Sequence, residues 1–278
     1  MGCLSWDEAV FGFSVAQFRV GLEPPTSSEV APFRAALEEF AAASQAELIS
    51  VRFDALNRAL MEVFCKAGFI PVDLAEEASY NRPRLESMPK ARFGVRLAEP
   101  DDYSDICRIA GSAFQFGRYH TDPRFPRELA DRRYVQWVRN ALTSGVPGDH
   151  VFVLGSPGQR LGFFHAVLRD GLADLRLAAA DPNSRVGLGL ALYSETLLAL
   201  QDRGACRFIT QVSAANVGVV NLYASLGFRF SNPQHVLHWH APTAAHLRDP
   251  GYRLQVAQGI VEGLKRYVRA APVRTARR

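Results

Sequence analysis

Two neighbouring stretches decide the fold: Asp174–Leu197, DLRLAAADPNSRVGLGLALYSETL, and Arg207–Phe230, RFITQVSAANVGVVNLYASLGFRF. The first is strand-like, reaches Asp181–Pro182, and places Gly187 and Gly189 in the first turn of a helix expected over about 186–203 that stops at Gly204. Glycines there let a bulky ligand approach the backbone, and the unpaired N–H groups at the positive helix end suit a pyrophosphate. Glycines that only relieve helix–strand packing would leave the same pattern. The second stretch is a strand ending in small residues, followed by Asn216 at a helix start, Tyr223 two turns later on the same face, and a stop at Gly227–Phe228. Taken singly, Asn216 is also a helix cap and Tyr223 a half-buried core residue.

Working outward, HVFVLG and RLGFFHAVLRD are extended runs joined by the turn SPGQ, which predicts antiparallel pairing with each other. ADLRLAAADP is the third such run, and FRF and HVLHWHA read as closing strands after the Gly227 stop. Upstream, GVRLAEPDDYSDICRIAGSAF predicts a strand and a helix begun by Asp101 or Asp102, with an aromatic helix RRYVQWVRNAL beyond it. The first 80 residues form a smaller α/β unit: a strand-like start, a helix over Phe33–Ala43, the strand ELISVRF, a helix from about Asp54 to Ala67 with Asp54 as its cap, and the strand FIPVDLA. Residues 81–92, with Pro83 and Pro89, read as a linker to a main unit over 93–243, and 244–278 as an amphipathic helix and basic tail. The fold class is α/β (α+β), with a mixed, largely antiparallel sheet.

Composition narrows the functional classes. Apolar residues make up 48% and charged residues 22% of 278, the balance of an ordinary globular chain. The net charge of +4 is carried by Lys265, Arg266, Arg269, Arg274, Arg277 and Arg278, which leave residues 1–264 at −2, so no basic nucleic-acid face is expected. Cys3, Cys65, Cys107 and Cys206 are isolated and read as reduced thiols. No run of about 18 uncharged apolar residues predicts a membrane span, and the start lacks a basic n-region, so a cytoplasmic protein is expected. Gly2 is present, but Trp6 stands where a myristoylation signal has Ser or Thr.

The strand with A-A-D-P, the G-x-G helix, and the run V-S-A-A-N-x-x-x-x-x-x-Y-x-x-x-G-F together resemble the acyl-CoA core of the GNAT acyltransferases. That resemblance implies a GNAT fold and acetyl-CoA or another short acyl-CoA as co-substrate. It implies that the pantetheine arm bonds a splayed strand edge at Leu177, Ala178 and Ala179, and that the pyrophosphate sits on Arg185, Val186, Gly187, Leu188, Gly189 and Leu190. It further implies that Asn216 contacts the cofactor arm and that Tyr223 protonates the departing thiolate. A phenol of pKa about 10 suits a thiol of about 8.5 in that role, since it is not ionised at rest. One departure is Ser184, three residues before the first glycine, where the family often has Gln or Arg; Arg185 follows one place later.

The N-terminal W-D-E-A-V-F-G-F, the segment KAGFIPVD, and AFQFGRYH with YVQWVRNAL resemble, more loosely, the dTDP-fucosamine acetyltransferase group. The resemblance implies a dTDP-linked 4-amino-4,6-dideoxygalactose as acceptor, a homodimer, and an acceptor side lined by Arg118, Tyr119 and His120. Arg118 offers a bidentate fork for a diphosphate or carboxylate; the resemblance also puts Tyr134 or Trp137 near the acceptor side, whereas their spacing, three apart on an apolar-periodic helix, reads as core. His165, beside the cofactor strand, is either the base for the ammonium proton or a satisfied sheet histidine, and water is the other base considered. Of His235, His238 and His240 only the last two share a face, and with no carboxylate nearby in sequence no metal is expected. Two other functions fit the sequence: a GNAT enzyme for an antibiotic-like amine, amino acid or protein amino group, and a non-catalytic binding module.

Overall fold

Leu161–Val167, LGFFHAV, is buried at every position. A strand apolar on both sides has to lie between two layers of helices, and this one does. The computed structural model describes residues 2–20, 30–81, 94–156, 158–184 and 187–242. Its strands are β1 (Gly2–Cys3), β2 (Ser14–Arg19), β3 (Ala46–Asp54), β4 (Ile70–Asn81), β5 (Val95–Leu97), β6 (Asp149–Ser156), β7 (Gln159–Arg169), β8 (Leu172–Ala180), β9 (Arg207–Ser213) and β10 (Arg229–His240). Its helices are α1 (Ser5–Phe11), α2 (Val30–Ser44), α3 (Arg58–Lys66), α4 (Tyr103–Ala110), α5 (Arg127–Thr143), α6 (Leu188–Gln201) and α7 (Val217–Ser225).

Among the described residues the strands form one sheet in the order β1-β2-β3-β10-β4-β9-β8-β7-β6-β5. Only β2–β3 and β8–β9 pair in parallel, so the sheet is mixed and largely antiparallel. Alternation sorts the core onto its two faces. Phe152, Phe164 and Phe208 pack under α6 and α7, while Val151, Val153 and Phe163 pack under α4 and α5. At the other end Ile49, Val51 and Phe53 meet α2 and α3, and Val15 and Leu48 meet α1. A fully buried phenylalanine such as Phe163 or Phe164 contributes about 1.5–3 kcal/mol through area removed from water.

Several details differ from the sequence reading. Asn57, not Asp54, caps α3: its Oδ1 accepts from the Leu60 N–H at 3.1 Å, whereas Asp54 ends β3 and turns its carboxylate to the Leu56 N–H at 2.7 Å. FRF and HVLHWHA are not two strands but the ends of β10, which lies between β3 and β4. Pro233 sits where the β10–β4 register shifts between Ser231 and Gln234, beside Asn232 at φ 52°, and a bulge is where a proline is tolerated inside a sheet. Through β10 and the antiparallel β4–β9 ladder, the strands of the first 81 residues join the same sheet as those that follow. The proposed linker over 81–92 lies outside the described residues from 82 on, as do the C-terminal helix and basic tail beyond residue 243.

Candidate active site

β8 and β9 start as partners and then part. They pair at Leu172–Arg207, Ala173–Phe208 and Asp174–Ile209, and no pair follows, although β8 runs on to Ala180 and β9 to Ser213. β7 stays with β8 to the end, with an irregularity between His165 and Ala166, so β8 is the strand that bends. Leu177, Ala178 and Ala179 therefore lie on the stretch of β8 that has left β9. Gly162 lets β7 follow the bend: a Cβ there would come within 2.8 Å of the Ala179 carbonyl oxygen.

A cavity of about 900 Å³ occupies the opening. Gln211 and Ser213 project from one face of β9, Thr210 and Val212 from the other, and all four line it. The cavity thus passes through the sheet and joins the α6/α7 face to the α4/α5 face.

On the first face lies Tyr223, 4% exposed, held by edge contact with Tyr193 at 5.1 Å and by Phe228 at 4.7 Å. Thr210 donates to the Leu175 carbonyl at 2.7 Å, and its hydroxyl and that of Tyr193 neighbour the Tyr223 hydroxyl. Burial, followed by the neighbouring Tyr193, pushes Tyr223 well above the ordinary 10, so the phenol is neutral and keeps its proton. Asn216 both caps α7, accepting from the Val219 N–H at 3.3 Å, and lines the cavity. Gly187 caps α6 in the left-handed region at φ 100°, Gly189 lines the cavity, Leu188 packs on the core below, and Leu190 is 41% exposed. Arg185 and Val186 lie outside the described residues.

On the second face the residues come from far apart in the chain. Asp7, 3% exposed, accepts from Arg133 Nε at 2.7 Å, from the Tyr119 hydroxyl at 2.7 Å and from Arg118 Nη2 at 3.2 Å. Burial works against the Arg118 charge, yet Tyr119 and Asp7 hold the guanidinium above its ordinary value, and Arg118 lines the cavity. Phe114 stacks on Tyr134 at 4.2 Å and Tyr134 lies parallel to Trp137 at 6.5 Å. Tyr134 and Trp137 do pack against the core, but they also line the cavity. Gly117 permits this, since a Cβ there would meet the Tyr134 hydroxyl at 2.1 Å.

Three of the expected acceptor residues are placed away from this cavity. Tyr119 is 2% exposed inside the cluster of Phe11 and Phe125, and burial pushes its hydroxyl up to about 12. His120 is turned to Asp131 at 2.9 Å. His165 meets Asp149 at 2.5 Å through Nε2 and borders a separate space of about 310 Å³ that shares Arg133, Trp137 and Arg176 with the larger one. Burial pushes the His165 pKa down, and its buried Nδ1 has no partner, as suits a neutral ring whose proton is on Nε2. Sequence reading missed Asp7, Arg52, Asp73, Gly117, Tyr193 and Thr210. Only Thr210 and Tyr193 had a local signal, because they fall inside the two stretches that carry the family resemblance.

A carboxylate does reach the paired histidines. Asp122 Oδ2 accepts from His238 Nδ1 at 2.8 Å and His240 Nε2 at 2.7 Å, and the ligand atoms of all three residues lie within 4.8 Å of one another. Burial drops His238 to about 4, so the neutral ring spends its one N–H on Asp122, and the unpartnered Nε2 is a bare lone pair. Both contacts fall at hydrogen-bond length, and Asp122 Oδ1 also accepts from the Arg124 N–H at 2.9 Å.

No protein-family model matches the chain. A spore coat polysaccharide biosynthesis protein, SpsD of Bacillus subtilis (strain 168), is 27% identical over 148 residues, which are 52% of this chain and 50% of that protein. The chain thus spans about half the length of the curated relative it matches. A GCN5-related N-acetyltransferase from Sphaerobacter thermophilus superposes with a TM-score of 0.55 at 15% identity over 77% of this chain and 69% of that one. A functionally unknown conserved protein from Staphylococcus epidermidis ATCC 12228 does so with 0.59 at 13% identity, over 82% and 84%. The chain has the fold of the GNAT N-acetyltransferases. Among the described residues no helix is long and apolar enough to cross a membrane.

Proposed function

We propose that this chain is an acyl-CoA-dependent N-acyltransferase that moves an acetyl or other short acyl group to the amino group of a dTDP-linked amino-deoxy sugar, with Tyr223 as general acid. The observation that carries the reading is the cavity that crosses the sheet where β8 leaves β9, with Tyr223 on one side and Arg118 on the other. The β8 edge at Leu177–Ala179 offers backbone groups to the pantetheine arm, which extends in the manner of an added strand. The start of α6 from Gly187 to Leu190 offers N–H groups to the pyrophosphate, and the left-handed Gly187 lets the phosphates come close. Asn216 contacts the arm from the opposite strand's end.

Acyl transfer then needs the acceptor nitrogen to attack the thioester carbonyl and shed a proton to water, the C–S bond to break, and a proton to reach sulfur. A phenol held above its ordinary pKa gives its proton up only as negative charge builds on sulfur, so Tyr223 acts late, first as hydrogen-bond donor and then as acid. Arg118 anchors the acceptor's diphosphate, and the Phe114, Tyr134 and Trp137 rings give its sugar an apolar wall. The likeness to a protein named for spore coat polysaccharide biosynthesis supports a sugar acceptor. The working unit is a cytoplasmic homodimer. Thiol release from acetyl-CoA, measured with dTDP-4-amino sugars against a panel of other amines, tests the reading. Turnover with the nucleotide sugars is expected to exceed that with the other amines, and the reverse order would move the acceptor to another amine class.

A further inference from the structure

At the acceptor end of the cavity one cation has no carboxylate in contact among the described residues. Arg133 and Arg118 share Asp7, and Arg176 pairs with Asp174 at 2.9 Å. Arg52 also lines the cavity, but among the described residues no carboxylate oxygen lies within ion-pair distance of it. Its side chain starts on β3 opposite Val236 and runs across β10 and β4 to β9, where Nη1 donates to Gln211 Oε1 at 2.5 Å. Nε is buried with no partner. Burial and the positive Arg118 both pull the guanidinium below its ordinary value, with Asp73 opposing. A guanidinium still keeps its proton under such pressure, so an anion brought into contact with it would be favoured.

The surroundings show what kind of molecule would bring it. Asp73 and Glu77 line the same end, and Asp73 accepts from Ser213 Oγ at 2.6 Å. Cations and carboxylates together suit an acceptor that is itself bipolar, an oxyanion at one point and an ammonium at another. Gln211 and Thr210 project from opposite faces of β9, so the Arg52 guanidinium and the Tyr223 hydroxyl are separated by the thickness of the sheet. That gap fits an anion and amine held apart by a sugar-sized ring, not by the single carbon of an α-amino acid.

Building on the acyl-transfer reading, we propose that Arg52 and Arg118 together form a subsite for an oxyanion of the acceptor, a phosphate group or a carboxylate carried beyond the ring that bears the amine. Arg52 supplies a charge with no carboxylate in contact, and Arg118 supplies one already oriented by Asp7 and Tyr119. Both are specificity-determining residues remote from the bond that breaks.

The test is calorimetry on the full chain saturated with CoA, so that the donor site cannot take the probe. The titrants are inorganic pyrophosphate, thymidine diphosphate and succinate. Binding of at least one titrant is expected, weakened tenfold or more in Arg52→Gln and less in Arg52→Lys, with CoA affinity and melting temperature unchanged in both. Preference for the phosphates assigns a phosphorylated acceptor, and preference for succinate a carboxylated one. Equal affinity in wild type and Arg52→Gln, or no binding by any titrant, overturns the subsite. If the chain takes up no CoA, the acyl-transfer reading falls, and the same titrations on the free chain still decide whether Arg52 holds an anion.

Discussion

The two faces of the cavity are built in different ways. The α6/α7 face is assembled from Leu175 to Phe228, a continuous stretch in which spacing alone sets which groups meet. The α4/α5 face is collected from Asp7, Arg52, Asp73 and the segment Ala113–Trp137, and its contacts span 111 residues from Asp7 to Arg118 and 159 from Arg52 to Gln211. One face is held by backbone geometry and buried hydroxyls, the other by buried charge. On the proposed reading the first face takes the donor, common to many enzymes, and the second selects the particular acceptor.

Removing single groups separates these two constructions. The largest effect is expected on stability, from Asp7→Ala, which strands Arg118 and Arg133 with no counter-charge in a buried place. A loss of about 3–5 kcal/mol is expected, seen as a lower urea midpoint and a melting temperature reduced by about 10 °C or more. A change below about 1 kcal/mol would show that the guanidiniums are solvated and the charged face is not a fixed structure. Tyr223→Phe removes one buried hydroxyl from the other face and keeps the ring that packs on Phe228. It is expected to lower kcat by about 10²-fold, or about 2.7 kcal/mol, while acetyl-CoA binding stays near normal. Near-normal kcat would take Tyr223 out of the chemistry.

How much of this was legible in the sequence follows from the same contrast. The order of elements over 149–230, the Gly187–Gly189 turn and the Asn216–Tyr223–Gly227 spacing are local facts, and a local pattern is what a sequence displays. Local sequence does not decide the cap of α3, because Asp54 and Asn57 are both good caps and the choice depends on where β3 ends. β10 was divided in two because Ser231–Gln234, SNPQ, has the composition of a turn, though tertiary pairing makes it a bulge. Asp122 was not linked to His238 and His240 because 116 residues separate it from the first. No periodicity announces such a contact. The acceptor residues were named from resemblance, and of these Arg118 alone lines the larger cavity, while Tyr119, His120 and His165 serve buried networks beside it.

Smaller effects sharpen the comparison. Arg118→Ala is expected to raise acceptor KM about tenfold and to leave acetyl-CoA affinity alone, and an unchanged KM would exclude Arg118 from the acceptor site. Stability should also depend on pH through the second face. His238 titrates near 4 when folded against an ordinary 6.5, so the unfolded chain binds more protons as pH falls. Its contribution is complete above about pH 6.5 and is lost progressively toward pH 4, and His165, also lowered by burial, adds in the same direction. Unfolding free energies from urea titrations at pH 7 and pH 5 should differ by on the order of 1–2 kcal/mol in wild type and by less in His238→Gln. An equal pH dependence in the two proteins would mean that His238 is not held neutral by its surroundings.

The most direct measurement is calorimetric titration of the full chain with acetyl-CoA, run on wild type and on Gly162→Val, which pushes a side chain against the bent β8 edge at the Ala179 carbonyl. One acetyl-CoA bound per chain, with affinity reduced tenfold or more in Gly162→Val while the protein stays folded by circular dichroism, is the expected result. No acetyl-CoA binding by wild type, or equal affinity in the folded variant, would contradict a donor site at the opening between β8 and β9.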